Sequence, residues 1–186
     1  MRGTAKRTVN TYAALAAASA RLLTNAKATE EGCAYNIMGS MLFCAFCLEA
    51  YLNHLGKRVQ TAWDVVQRKL NPHEKLDLLS QATGCTVDKA RRPFQTFSEV
   101  FKFRDALVHA KPFSANAPVR SGVIPPISDE APEELKARWE KWVTLEKAQR
   151  FYDDTLKMIE ILHCKAFDNE QVDWTLSVTL WSVPME

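Results

Sequence analysis

The sequence has little net charge and no long apolar segment without charged residues. Its 186 residues include 24 basic and 22 acidic side chains, so composition gives no sign of a broad electrostatic nucleic-acid binder. No stretch approaches the roughly 18 uncharged apolar residues of a membrane-spanning helix, and we expect no contact with a membrane. Hydrophobic residues make up 47% of the chain, which excludes wholesale disorder. We expect one domain over residues 1–186.

Acidic residues are absent from the first part of the chain and abundant in the last. Residues 1–29 hold five basic residues and no acidic one, whereas residues 128–186 hold seven basic and thirteen acidic ones. These two regions either neutralise each other within one fold or face different partners. A solvated surface of mixed charge is the simpler interpretation.

The basic start resembles a short secretory signal. Met1–Arg7 would be its basic part and Tyr12–Ala20 its apolar part. That apolar part is mostly alanine, however, with Leu15 as its one leucine. Five cysteines, an odd number scattered through apolar segments, favour reduced thiols over a disulfide framework. We therefore predict a cytoplasmic protein that begins with an Ala-rich helix over residues 8–28.

Helical periodicity dominates the remaining sequence and predicts an all-α fold, a bundle of four to five helices. Apolar residues spaced three or four apart define one long, largely buried helix that follows Thr29, and Gly56 is its predicted stop: they are Ile37, Met41, Cys44, Ala45, Leu48, Leu52 and Leu55. Pro72 and Pro93 are well placed to begin two further helices, which end near Gly84 and Ala110. A second long helix is predicted over residues 133–167. The helical core thus spans residues 30–167.

Two segments do not fit the helical pattern. Five of the eight prolines lie between residues 112 and 132, which predicts a long loop that acts as a functional lid or a spacer. The tail, residues 168–186, alternates apolar and polar residues over 172–183. This pattern fits either a short strand or an extended arm packed on the bundle.

Two motifs have both a chemical and a structural interpretation. Cys44 and Cys47 form a C-x-x-C, which can be half of a zinc site or a redox pair. They lie within an apolar helix and no second Cys or His pair follows at metal-ligand spacing, so core packing is favoured. Trp139 and Trp142 lie among cations and could stack on single-stranded nucleic acid. Their helical spacing favours the edge of the core or a dimer interface instead.

A cluster of polar residues, Arg104, Asp105 and His109, lies at the end of the otherwise apolar helix that begins at Pro93. Such residues are costly in a core unless they are paired or reach water. Arg104 and His109 are five residues apart, so they point about 140° away from each other on an ideal helix. They converge only if the last turn loosens before Pro112 or if a second copy of the chain lies alongside.

Arg104-Asp105 followed by three residues and His109 resembles the R-[N/H/D]-x-x-x-H signature of HEPN domains. Upstream, Glu49-Ala50-Tyr51-Leu52-Asn53 is similar to a string that is common in the early long helix of prokaryotic HEPN proteins. The resemblance covers residues 30–165 and implies a bundle of HEPN type.

The resemblance implies a metal-independent endoribonuclease without a cofactor, whose composite site forms where two motifs meet in a homodimer. His109 would be the general acid or base. Arg104 would hold the scissile phosphate and stabilise its negative charge. Asp105 would orient this pair by hydrogen bonding. Cleavage would leave a 2′,3′-cyclic phosphate, and a neutralising antitoxin is implied because such proteins act in toxin–antitoxin or phage-defence systems.

Three further residues complete the predicted site. Lys102 and Lys111 would add phosphate contacts, or are ordinary exposed lysines. Glu49 is the predicted partner of Arg104 across the bundle. The alternative to the enzyme is a non-catalytic HEPN-like module for dimerisation or for binding protein or nucleic acid, with the motif in a structural role.

Overall fold

In a computed structural model of the chain, residues 4–116 and 134–182 are described, and they are mostly helical. The elements in chain order are β1 Thr4–Val9, α1 Thr11–Ala28, α2 Cys33–Val59, α3 Trp63–Val66, α4 Pro72–Thr83, α5 Phe94–Val108, α6 Leu145–Ala166 and β2 Ser177–Ser182. The all-α prediction is confirmed at this level. Part of the predicted loop, residues 117–133, lies outside the described residues.

The central helix is α2, which packs against α1, α4, α5 and α6. Its fully buried side chains supply the middle of the core, and they include Met41, Ala45, Cys47, Tyr51, Leu52 and Leu55. By length and composition, α2 is also apolar enough to cross a membrane. The sequence analysis expected no segment as long and apolar as a membrane-spanning helix, and α2 does not fit that expectation. Glu49 is the only charged residue between Cys33 and Gly56.

The predicted stop of α2 at Gly56 is wrong, because the helix continues to Val59. The indole of Trp63, at the start of α3, lies directly on Gly56. A Cβ atom at residue 56 would lie 2.1–2.5 Å from three indole ring atoms. Gly56 is thus a packing residue inside the helix, where a missing side chain admits the tryptophan.

Helices α4 and α5 have the bounds that their start and stop residues indicate. The Asn71 side chain accepts hydrogen bonds from the backbone of α4, and Glu74 completes a capping box. Gly84 ends α4 with φ of 64°, a left-handed conformation that glycine adopts readily. Helix α5 ends at Val108, before Pro112, as predicted.

The predicted helix over residues 133–167 is wrong in its first third. Residues 134–144 form turns and a short 3-10 helix, Glu140–Trp142, and α6 begins only at Leu145. The reason is the cap at Thr144, whose hydroxyl accepts a hydrogen bond from the backbone N–H of Lys147 at 3.2 Å. Apolar spacing continues across this cap and therefore hides it.

The two ends of the described chain pair with each other. Strands β1 and β2 are antiparallel, with Thr4 opposite Ser182 and Val9 opposite Ser177. The helix predicted from residue 8 therefore begins only at Thr11, because the backbone before it is extended and bonded to β2. For the tail, the strand interpretation is confirmed over Ser177–Ser182, whereas Val172 and Trp174 before it pack against the bundle, as the other interpretation expects.

Candidate functional site

The three motif residues and Lys102 lie on two neighbouring ridges of α5 and its C-terminal cap. Phe97, Phe101 and Arg104 follow a spacing of four and three and face the bundle, the two rings being buried. Lys102, Asp105 and His109 follow a spacing of three and four and are exposed. The motif thus has one inward residue, Arg104, and an outward face.

The Arg104 guanidinium is held on three sides. Its Nη1 donates to Glu49 Oε2 of α2 at 3.0 Å, which is the predicted pair. Its Nε and Nη2 both donate to Asp105 Oδ1, at 2.9 and 2.7 Å. Its central carbon lies 4.9 Å from the centre of the Phe101 ring, within cation–π range. With a side chain 21% exposed, Arg104 still reaches solvent.

Sequence reasoning missed Lys75, which extends this network into the core. Its side chain is only 5% exposed, and Nζ lies 3.3 Å from Glu49 Oε1. Glu49 therefore bridges two cations, one from α4 and one from α5. The four charges of Lys75, Glu49, Arg104 and Asp105 balance, so the cluster is electrically neutral as a unit. A lysine at the fourth position of an amphipathic helix gives no sequence signal for such a role.

His109 lies at the very end of α5, and its surroundings are open. Its backbone N–H donates to the Asp105 carbonyl at 3.0 Å, so the last turn keeps its helical hydrogen bond and does not loosen. Arg104 and His109 therefore stay on different ridges of the helix. Near His109, the apolar side chains of Val108 and Phe113 are 66% and 57% exposed, and Lys111 is also exposed.

A second histidine, His73 of α4, lies beside the inner ridge of α5, next to Phe97 and Phe101. The sequence analysis did not predict it as part of the site. Its ring centre is 5.1 Å from that of Phe97 and 6.2 Å from that of Phe101. Burial lowers the pKa of the His73 imidazole, two nearby lysines add to this effect and two nearby aspartates oppose it; Lys102 and Asp105 are the weaker member of each pair. The outward face of α5 thus contributes to the electrostatic environment of His73 without being its largest part.

The two cysteines of the C-x-x-C and one of the two tryptophans take structural roles. Cys44 and Cys47 are buried in the core, and burial raises the pKa of the Cys44 thiol to about 11, which disfavours the reactive thiolate. Trp142 stacks on Phe103 with ring centres 6.4 Å apart, which places it at the core edge. Trp139 instead lines a pocket near the start of α2.

No described set of three or more His, Cys, Asp and Glu residues is arranged to hold a metal ion. No protein-family model matches the chain, and neither a curated protein nor a solved structure matches it. The site must therefore be interpreted from its own residues.

Proposed function

We propose that the protein is a metal-independent endoribonuclease of HEPN type, with its site at the C-terminal end of α5. The observation that carries this proposal is the arrangement of the motif. Glu49 fixes Arg104 at the surface, while Asp105 and His109 lie exposed on the next ridge of the same helix. A fixed guanidinium is suited to hold a phosphodiester, and an accessible imidazole at the same end of the helix is suited to move a proton.

The proposed reaction is an internal transfer within RNA. The ribose 2′-oxygen attacks the adjacent phosphorus and loses its proton to a base, while the bond to the 5′-oxygen breaks and that oxygen gains a proton. The products are a 2′,3′-cyclic phosphate and a free 5′-hydroxyl. His109, whose imidazole can both accept and donate a proton, serves as base or acid. Arg104 stabilises the negative charge on the phosphate oxygens.

A second copy of the chain completes the proposed site. The regular last turn of α5 keeps His109 away from the Arg104 of its own chain. A two-fold partner would bring another motif opposite the first, and the exposed Val108 and Phe113 offer an apolar surface for that contact. Lys102 and Lys111 would meet the flanking phosphates of the RNA.

The proposed biological role is that of a toxin or defence effector, with RNA as target and an antitoxin protein as partner. The proposal places the protein in the cytoplasm, in keeping with five free cysteines.

The second candidate is a non-catalytic helical module for dimerisation or binding. The neutral cluster around Arg104 favours it, because two carboxylates already balance the charges of Arg104 and Lys75. In this role the motif would stabilise the bundle, and Val108 and Phe113 would contact a partner protein.

Cleavage of RNA by purified protein in the presence of EDTA tests the enzyme against the module. We expect wild type to cut, and Arg104→Ala and His109→Gln each to lose about a hundredfold or more in rate, the usual scale for a proton-transfer or charge-stabilising group. Product ends should be cyclic phosphates, which mass spectrometry distinguishes from linear ones by the missing water.

Arg91→Ala is the matched control, because Arg91 is also an arginine paired with an aspartate but lies away from the motif, with its side chain 86% exposed. It should cleave as wild type does. Cleavage that survives in His109→Gln would overturn the proposed role of the motif. No cleavage by any of these proteins would overturn the enzyme and leave the module.

A further inference from the structure

The edge of the Arg104 guanidinium best suited to an oxyanion is already filled. Nε and Nη2 point the same way and together form the fork that binds carboxylate or phosphate in two parallel hydrogen bonds. In this structure both donate to one oxygen, Asp105 Oδ1, at 2.9 and 2.7 Å. The third nitrogen, Nη1, is used by Glu49.

The two carboxylates on Arg104 are not equally fixed. Glu49 is 33% exposed and is also bound by the buried Lys75, so it cannot leave without stranding a buried charge. Asp105 is 51% exposed, and within the described residues Arg104 is its one salt-bridge partner. Neighbouring helix residues do not naturally face each other, so the Arg104 side chain must bend along the helix to reach it.

We propose that Asp105 is a latch on the Arg104 fork, which a phosphodiester of single-stranded RNA displaces when it binds. This rests on the proposed function only in taking RNA as the ligand. In the free protein the latch keeps the fork neutral, and in the complex the phosphate takes the place of the carboxylate. Asp105 therefore weakens RNA binding, in contrast to a residue that merely orients the site.

The test measures binding of a labelled 2′-O-methyl oligoribonucleotide by fluorescence anisotropy in EDTA. This probe carries the phosphates of RNA but has no free 2′-hydroxyl, so binding is measured without cleavage. Asp88→Asn is the matched control: Asp88 is 55% exposed, pairs with Arg91 at 3.7 Å, and its substitution changes the net charge equally. Circular dichroism verifies that each variant is folded.

We expect Asp105→Asn to bind about twofold to fivefold more tightly than Asp88→Asn, the scale of one exposed ion pair. In an Arg104→Ala background the advantage of Asp105→Asn should vanish. The latch is overturned if the two asparagine variants bind the probe equally or if Asp105→Asn does not bind it. It is also overturned if Asp105→Asn still binds more tightly when Arg104 is replaced. The probe cannot be cleaved, so the binding measurement does not depend on nuclease activity. If wild type cuts no ordinary RNA, the proposed nuclease activity is refuted, but the measured effect of Asp105 on RNA binding still holds.

Discussion

Glu49 is the residue on which the candidate site depends most. It connects the buried cation Lys75 with the partly exposed cation Arg104 and so joins α4, α2 and α5. The Glu49–Arg104 pair was predictable, because a charged residue in each of two apolar helices requires a partner. Lys75 was not, because its burial depends on how α4 packs against α2.

Glu49→Gln should destabilise the protein by about 1–3 kcal/mol, the usual cost of leaving a buried charged group without its partner. The loss falls on Lys75, whose side chain is 5% exposed. Urea unfolding followed by circular dichroism measures it. Lys75→Met combined with Glu49→Gln should recover much of the loss, since no unpaired cation is then buried. Additive losses in the double variant would contradict this account.

At the scale of elements, contacts between helices decided where the sequence predictions failed. Gly56 looks like a helix stop in the sequence, and only the indole of Trp63 explains why it lies inside α2. Thr144 looks like a mid-helix residue, and only its cap on α6 explains the late start of that helix. Local patterns therefore predicted which segments are helical better than where the helices begin and end.

Gly56→Ala should destabilise the protein by about 1–3 kcal/mol, as overpacking usually does, although alanine favours helices. The new Cβ would lie 2.1–2.5 Å from indole atoms. Gly39→Ala, also within α2, is the control: its Cβ would meet the end of a flexible side chain, Leu22 Cδ1, at 2.8 Å. Thermal unfolding compares the two variants with wild type. If Gly56→Ala were as stable as Gly39→Ala or more stable, the Trp63 side chain would have to move freely out of the way.

The contact between α2 and α6 makes stability depend on pH. His163 is 2% exposed, its Nδ1 lies 3.1 Å from the Tyr51 hydroxyl, and burial lowers its pKa below 6.5. The His163 imidazole therefore takes up a proton more readily in the unfolded chain than in the folded one. The stability that neutral His163 contributes is fully present above pH 6.5 and is lost as the pH falls.

Unfolding in urea at a series of pH values measures this dependence. We expect wild type to lose stability from about pH 6.5 downwards, and His163→Gln to lose less over the same range. Burial lowers the pKa of His54 and His73 as well, so part of the dependence remains in the variant. Identical slopes for the two proteins would exclude His163 as a cause.

At the scale of the whole molecule, the sequence predicted the helical class and the end of α5 that carries the motif. It did not predict that β1 and β2 pair, because each is a short segment and the two lie at opposite ends of the chain. The placement of Arg104 on an inner ridge and His109 on an outer one followed from their spacing. The neutral charge cluster required the packed bundle.

The proposal that two chains form one RNA-cleaving site has a direct test. Wild type at a fixed concentration is mixed with increasing His109→Gln protein, subunits are allowed to exchange, and cleavage of RNA is measured in EDTA. A composite site predicts that the rate per wild-type chain falls towards that of the variant as mixed dimers replace wild-type ones. A rate that stays constant, or wild type that cleaves no RNA at any concentration, would contradict the account.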